Sequence, residues 1–431
     1  MQKIKIVNFG PIKHVEIDVN DFMVFIGPQA SGKSTISKSV YFFKSLKDDL
    51  LRYVIESIDN KSFDNPIVSF LKRIRAKFLD FWGPTLHLSK LTLEYHYKEN
   101  ISLVIGLNRG YVNPIFSQLF LEHFNNIISE AKAYIDKISN RNLQFMSSSD
   151  FLAAESEKRM FINRIENHIA ELFGDNKELV FIPAGRSLLA TVSEQIQSIH
   201  PHKLDYLMRS FADRIMNAKH FFSKSLYELV TDKKKFTEEK IEFNNVYFAQ
   251  KLIENILKGE YRSDSEGEKL YFEPKKYVKI NYASSGQQEV IWILLLIFLL
   301  ILESRQVFIV FEEPEAHLYP ESQKQIIDLI SLLATVESNQ VIITTHSPYI
   351  LSSLNNLLYA YSIGQKRPKE TKNIVDKRLW INPDQLNAFF VSEGCIHNII
   401  DDEFRLIKSE AIDSASIIIN NTYNLLFDLD N

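Results

Sequence analysis

The sequence predicts an α/β protein: a mixed central sheet with helices, an inserted helical arm and a small C-terminal α+β region. Three observations predict it. A short apolar run at 22–26 feeds a Gly/Ser-rich turn and then a helical pattern from about residue 34. Two later apolar runs, 307–311 and 340–344, stop abruptly at polar residues, as buried strands do at the edge of a sheet where ligands bind. Alternating segments at 3–9, 14–19, 91–97, 101–107 and 111–116 have the period of half-buried strands.

The elements follow in order. After the strands at 3–9, 14–19 and 22–26 comes a helix from about 34, and residues 45–84 continue as mostly helical and amphipathic. Residues 117–175 are helical, broken by the polar stretch at 147–150, and 178–182 is a strand closed by Pro183-Ala184-Gly185-Arg186. Two long helices are expected at 203–230 and 239–260, followed by the polar stretch at 263–267 and a strand at 277–280. An apolar helix at 289–303, a helix at about 321–335 and the strands around it complete the head, with 340–344 as its last core strand. Residues 366–431 mix short strands with a terminal helix. The expected division is a head of 1–116, 176–195 and 268–365, an arm of 117–175 and 196–267, and the C-terminal region 366–431.

Composition sets outer limits. The chain has 431 residues, 45% hydrophobic, enough apolar surface for two or three cored units. Its net charge of −4 excludes a protein whose main task is coating DNA. One cysteine, Cys395, excludes a disulfide framework and a cysteine-based zinc site, and its expected place is a buried apolar one. The apolar run 290–302 is too short for a membrane span, which needs about 20 residues, so it reads as a core helix. The N-terminus reads as a strand and not as a signal peptide, so a soluble, cytoplasmic protein is expected.

Four motifs carry chemistry. Gly27-Pro28-Gln29-Ala30-Ser31-Gly32-Lys33-Ser34 matches G-x-x-x-x-G-K-[ST] between a strand and a helix, followed by Thr35. Its glycines turn successive N–H groups inward around a phosphate chain, at a helix N-terminus that adds partial positive charge. Lys33 would reach the β- and γ-phosphates and Ser34 would hold Mg²⁺. The strand 307–311 runs into Glu312-Glu313-Pro314, where Glu312 can orient Mg²⁺ and Glu313, pointing differently, can polarise an attacking water. Ser284-Ser285-Gly286-Gln287-Gln288 opens the apolar helix, either as an anion site or as a plain N-cap with Glu289 following. Thr344-Thr345-His346-Ser347-Pro348 places a histidine after the strand 340–344, either structural or a γ-phosphate sensor.

The order of these motifs resembles that of the ABC-type ATPases. The wording of Glu312-Glu313-Pro314-Glu315-Ala316-His317-Leu318, of the His346 segment, of Ser284–Glu289 and of the stretch 181–187 looks like that of the OLD (overcoming lysogenization defect) family, which recurs in bacterial antiphage systems. The resemblance covers about 1–45 and 178–365. It implies ATP and Mg²⁺ as cofactors and a head-to-tail homodimer that sandwiches two ATP molecules. Lys33 and His346 of one subunit would then face Ser285, Gly286 and Gln287 of the other, with Glu313 as general base and Ser34 and Glu312 at the metal. Gln287 stands where transporters have a second glycine, Glu312 where most ABC proteins have Asp, and the pattern assigns a Q-loop glutamine to neither Gln118 nor Gln144, which leaves the Mg²⁺ shell incomplete.

Many OLD proteins add a Toprim nuclease. Asp428-Leu429-Asp430 has the letters of its Asp-x-Asp pair, but follows a helical stretch at the chain end, and Asp401-Asp402-Glu403 reads as a helix N-terminal cluster. No nuclease is expected in this chain, and a separate effector subunit, a nuclease, is. The basic runs Lys72-Arg73 with Arg75 and Lys77, and Lys233-Lys234-Lys235, read as solvated helix faces, with direct nucleic-acid contact as the other reading; His200-Pro201-His202 lacks a carboxylate or thiol at ligand spacing. The expected function is an ATP-hydrolysing antiphage switch subunit. The alternatives are a repair or recombination ATPase like RecF or a short SMC protein, and an assembly scaffold with little turnover.

Overall fold

The computed structural model describes residues 2–139, 148–191, 204–236, 241–408, 420–421 and 424–427. Among the described residues the strands run in chain order as β1 Lys3–Phe9, β2 Ile12–Asp18, β3 Phe22–Ile26, β4 Thr92–Lys98, β5 Ile101–Asn108, β6 Tyr111–Phe116, β7 Glu178–Ile182, β8 Glu260–Asp264, β9 Gly267–Glu273, β10 Lys276–Lys279, β11 Val307–Glu312, β12 Gln340–Thr345, β13 Leu386–Ser392 and β14 Cys395–Asn398. The chain divides into two compact units: one of 1–19, 35–179 and 393–395, the other of 20–34, 180–392 and 396–431.

The first unit is built on an antiparallel sheet of order β2-β1-β4-β5-β6. β4 alternates between buried and half-buried residues, so one face carries Leu93, Tyr95 and Tyr97 inward. Tyr95 stacks on Phe43, and Tyr97 meets Phe173 edge to face. The helix Pro66–Trp82 adds Phe70, Ile74 and Phe78 at helical spacing. The longest helical pair is Gln118–Ser139 with Ser148–Phe173, joined by a stack of Tyr134 on Phe161. The basic run at 72–77 is spent inside this unit: Arg73 pairs with Glu56, Lys77 with Asp49, and Arg75 donates to the Val112 carbonyl.

The second unit holds a six-stranded sheet of order β14-β13-β3-β12-β11-β7. β13, β3, β12 and β11 are mutually parallel. β3 and β11 are buried at every position, so neither has a solvent side that would call for polar alternation. The helix Ser285–Leu302 is long and apolar enough to cross a membrane, but most of it, Trp292 included, is buried in the core with Ile326 and Leu351, as expected of a core helix.

Several expectations need correction. β13, expected in a separate C-terminal region, pairs with β3, so 340–344 is not the last core strand; its alternation was too short to separate from loop. The strands β4–β6, expected in the head, cluster with the first part of the expected arm, 117–175, whereas the helices of its second part, between 206 and 257, belong to the other unit. The expected helix 203–230 breaks into Tyr206–Lys219, a turn at 220–223 and Leu226–Phe236. Phe222 leaves helical geometry, and Ser225 with Glu228 forms a reciprocal cap that starts a new helix. The helix expected to 260 ends at Leu257, and the polar stretch at 263–267 is the tip of the hairpin β8–β9, where Lys269 bonds Asp264 and Glu266. A helix at Pro348–Gly364 was not anticipated. Asp401 accepts from the N–H groups of Glu403 and Phe404 and closes a turn, not a helix. Cys395 is half-buried on β14 rather than fully inside. His200, His202, Gln144, Asp428 and Asp430 lie outside the described residues.

Candidate nucleotide site

Three neighbouring strands deliver the site. β3 ends at Ile26 and enters the Gly27–Ser34 loop, β11 ends at Glu312, and β12 ends at Thr345 just before His346. Parallel strands bring their C-terminal ends to one edge, so the three segments converge although the sequence separates them widely. Gly27 is required by packing: a Cβ there would lie 2.2 Å from the carbonyl oxygen of Val391 on β13. Pro28, Gln29 and Ala30 are exposed at the tip of the loop, Ala30 in the left-handed region at φ 61°. Gly32 and Lys33 are buried, while Ser34 and Thr35 are half-buried where the following helix begins.

Lys33 donates to the carbonyls of Gly27 (2.9 Å) and Pro28 (2.8 Å) and sits 3.4 Å from Nδ1 of His346. Nε2 of His346 lies 3.0 Å from Oε1 of Glu313. An ammonium group can only donate, so Nδ1 accepts and Nε2 carries the proton donated to Glu313. This single tautomer links three of the expected catalytic residues in one chain. Burial holds the Lys33 ammonium below the usual lysine value, partly offset by Glu313 and Glu315. A polyphosphate would restore what that burial takes away.

Glu312 and Glu313 diverge as adjacent residues of a strand end do, and the backbone sharpens the divergence. Glu312 is buried and accepts from the N–H of Ala184 at 3.4 Å. Glu313 turns into the left-handed region at φ 46° and its carboxylate is half exposed. Ser31 Oγ is buried without a hydrogen-bond partner in the protein. That orphan hydroxyl, the buried lysine and the glycine cradle fit a phosphate chain. The hydroxyl of Ser34 and the carboxylate of Glu312 are hard oxygen donors of the kind that hold Mg²⁺ with phosphates and waters.

The Ser284–Gln288 segment is both cap and surface. Ser284 is the N-cap, and its reciprocal partner is Gln287, not Glu289. Gln287 also donates to the Leu257 carbonyl, so its side chain is committed to the fold. Ser285 is exposed. Gly286 packs against the loop after β11, where a Cβ would lie 2.8 Å from the His317 carbonyl oxygen. Among the described residues, Ser285, Gly286 and Gln287 make no hydrogen bond to Lys33, Glu313 or His346.

A family model described as AAA ATPase domain matches residues 1–351. The chain belongs to the AAA ATPase domain family. No curated protein matches it at a significant level. Among solved structures, this AAA ATPase is similar to an Smc head bound to the C-terminal winged-helix domain of ScpA, at 12% identity and a TM-score of 0.40, covering 92% of this chain and 96% of the other. It is also similar to the SMC head domain from Thermotoga maritima (12%, TM-score 0.36, 92% and 97% covered). A third is an Smc head with an extended coiled coil, bound to the C-terminal domain of ScpA and derived from Pyrococcus furiosus (12%, TM-score 0.37, 98% and 100% covered).

Two residues of this AAA ATPase domain gain roles that their motifs did not reveal. Glu315 is buried and accepts from Thr345 Oγ1 (2.6 Å) and from the His346 N–H (2.9 Å), so it fixes the segment that presents His346. Burial pushes its carboxyl above the ordinary value. Arg186 is 1% exposed and lies among the backbone carbonyls of Glu312 and Glu313. The sequence signal for both was present, a charged residue inside an otherwise apolar or motif-bearing stretch, but no spacing rule names its partner.

Proposed function

We propose that this chain is the ATP-binding and ATP-hydrolysing switch subunit of an antiphage defence system, acting in the cytoplasm and controlling a separate effector nuclease through nucleotide-dependent pairing of its heads. The family assignment supports the ATPase core of this reading. The wording of the Glu312–Leu318, Ser284–Glu289 and His346 segments supports its defence role. The observation that carries it is the hydrogen-bonded chain Lys33–His346–Glu313 at the common edge of β3, β12 and β11.

In this mechanism the Gly27–Ser34 backbone cradles the triphosphate and Lys33 exchanges its loop carbonyls for phosphate oxygens. Glu313 takes the proton of the attacking water, and His346, held by Glu315, steadies the Glu313 carboxylate through Nε2–H. Ser34 and Glu312 would hold Mg²⁺, which neutralises charge on the phosphates when bound. Ser285, which is exposed, and Gly286 beside it, both from a second copy, complete the grip from outside, so that ATP joins two heads and hydrolysis parts them.

Glu313→Gln tests the proposal. Phosphate release should fall about 10²–10³-fold, the usual cost of a lost transition-state group, while ATP binding persists and a dimer accumulates by light scattering. Wild-type turnover in that variant sinks the assignment of Glu313. A wild-type protein that stays monomeric with ATP sinks the pairing of heads.

A further inference from the structure

Arg186 follows β7, in the loop beside the end of β11. Its guanidinium makes four hydrogen bonds, all to backbone carbonyls: Nε to Glu289 (3.0 Å), Nη1 to Pro183 (2.9 Å) and Glu312 (2.9 Å), and Nη2 to Glu313 (3.0 Å). Its one carboxylate partner is Glu289, at 3.6 Å from Nη1. The other Glu289 oxygen accepts from the Ser187 N–H at 2.9 Å. Glu289 is itself buried, in the helix Ser285–Leu302 just after the exposed Ser285 and the half-buried Gly286.

This arrangement is costly unless it serves the site. A guanidinium stays charged in a protein, and burying it away from water needs full hydrogen bonding. It is also placed where backbone geometry is strained. Glu313 is a non-glycine residue with φ 46°, the left-handed region that crowds the Cβ of an L-residue against its own backbone. Three hydrogen bonds hold that conformation: the Glu313 N–H donates to the Thr344 carbonyl at 2.9 Å, and the Glu313 carbonyl accepts from the Ala316 N–H at 3.1 Å and from Arg186 Nη2 at 3.0 Å. Of the three, only Arg186 ties the turn to a distant side chain; without it the carbonyl keeps the Ala316 N–H alone and the Glu313 carboxylate loses part of what aims it at His346.

We propose that Arg186 is a positioning residue: its planar fork fixes the left-handed turn at Glu313, and its tie to Glu289 couples that turn to the helix opened by Ser285 and Gly286. The inference rests on the ATPase reading above and deepens it. An event at the exposed helix start, such as engagement by the nucleotide of a second copy, reaches this subunit's own general base through one buried ion pair. Lysine cannot replace Arg186, because a single ammonium cannot span four carbonyls in a plane.

The test compares wild type, Arg186→Lys, Glu289→Gln and the double variant Arg186→Met/Glu289→Gln, which removes both charges and keeps an acceptor for the Ser187 N–H. Melting temperature, affinity for a fluorescent ATP analogue, and kcat with KM for phosphate release are measured on each. Removing a buried pair together avoids stranding one of its charges, so the double variant should melt above Glu289→Gln, which leaves the guanidinium buried without its carboxylate. Its kcat should nonetheless stay about 10²-fold down, the scale of a small misplacement of a catalytic group, with analogue affinity and KM within about threefold of wild type. Arg186→Lys should show the same split between kcat and KM. Glu289→Gln should weaken the rise in turnover with protein concentration that head pairing produces.

Three results overturn the inference while leaving the ATPase reading intact: kcat restored in the stable double variant, wild-type kcat in Arg186→Lys, or affinity and kcat lost in parallel in a folded variant. A wild-type protein that neither binds nor hydrolyses ATP overturns the proposed function itself, and the role of Arg186 with it.

Discussion

The two units each bury a lysine from the same helix, Lys33–Asp59, and treat it in opposite ways. Lys44, in the antiparallel unit, is closed by Asp175, with side chains 2% and 7% exposed. Asp175 is held further by the Lys177 N–H. Burial alone would raise the Asp175 carboxyl, but Lys44 and that N–H overcome it and hold it below the ordinary value. Lys33, in the parallel-sheet unit, has no carboxylate in contact among the described residues; it bonds its own loop's carbonyls and sits beside Nδ1 of His346. A buried charge with a dedicated counter-ion stabilises a fold. A buried charge satisfied only by neutral dipoles is poised for an anion from outside.

The comparison can be broken by substitution. The largest effect should be Lys44→Ala, which strands Asp175 and should cost about 3–5 kcal/mol by chemical denaturation, while the folded fraction keeps its affinity for ATP. Lys33→Ala should do the reverse. Turnover should drop about 10²–10³-fold with the denaturation midpoint unchanged or slightly higher, since no partner is left charged and unpaired. If both variants lose stability equally and neither loses nucleotide selectively, the distinction between the two lysines fails.

Gly286→Ala comes next. The new Cβ must displace the His317 carbonyl, because the contact would be 2.8 Å. Overpacking of this kind costs about 1–3 kcal/mol, and here it should reduce kcat more than KM. Gly83→Ala in the antiparallel unit is the control: its φ is +77° but nothing lies within 4 Å of the added methyl, so only backbone strain of about 1 kcal/mol should register.

The smallest effect is a pH slope, and the two units should show it with opposite sign. Asp175 has a lowered value, so its contribution is present above the unfolded value of 3.8 and is lost as pH falls through the folded one. Asp328 is buried in the helix Pro320–Thr335 with one oxygen lacking a hydrogen-bond partner, and burial raises its value above 3.8. The native state then binds the extra proton, so this contribution is lost as pH rises through the folded value. Asp328→Asn should flatten the decline in melting temperature above pH 3.8, whereas Asp175→Asn should flatten the acid side. Identical pH profiles in the two variants would contradict the assignment.

Much of the site could be read in the sequence. Gly27–Ser34, Glu312, Glu313 and His346 were expected, and three of them meet through Lys33 and its hydrogen bonds. Each stands at the end of an apolar run, and a buried strand that stops at a polar residue marks a sheet edge whatever its neighbours are. Arg186, Glu289 and Glu315 had no comparable mark. Their roles lie in partners distant along the chain, such as Arg186 with the Glu312 carbonyl, and backbone carbonyls leave no trace in residue identity. The break at Phe222 was legible and overlooked, since Ser225 and Glu228 have capping-box spacing. β13 was not, because parallel strands pair through long crossovers that local patterning does not record.

By itself, then, the sequence determined the kind of chemistry and the ends of the strands that bear it, because glycine, lysine and paired carboxylates have few uses in that order beside apolar runs. The tertiary structure alone decided which carbonyl faces which guanidinium, which lysine is closed and which is open, and that β13 completes the cradle at Gly27. Those outcomes depend on distances set by packing of the whole parallel-sheet unit, and no local pattern contains them.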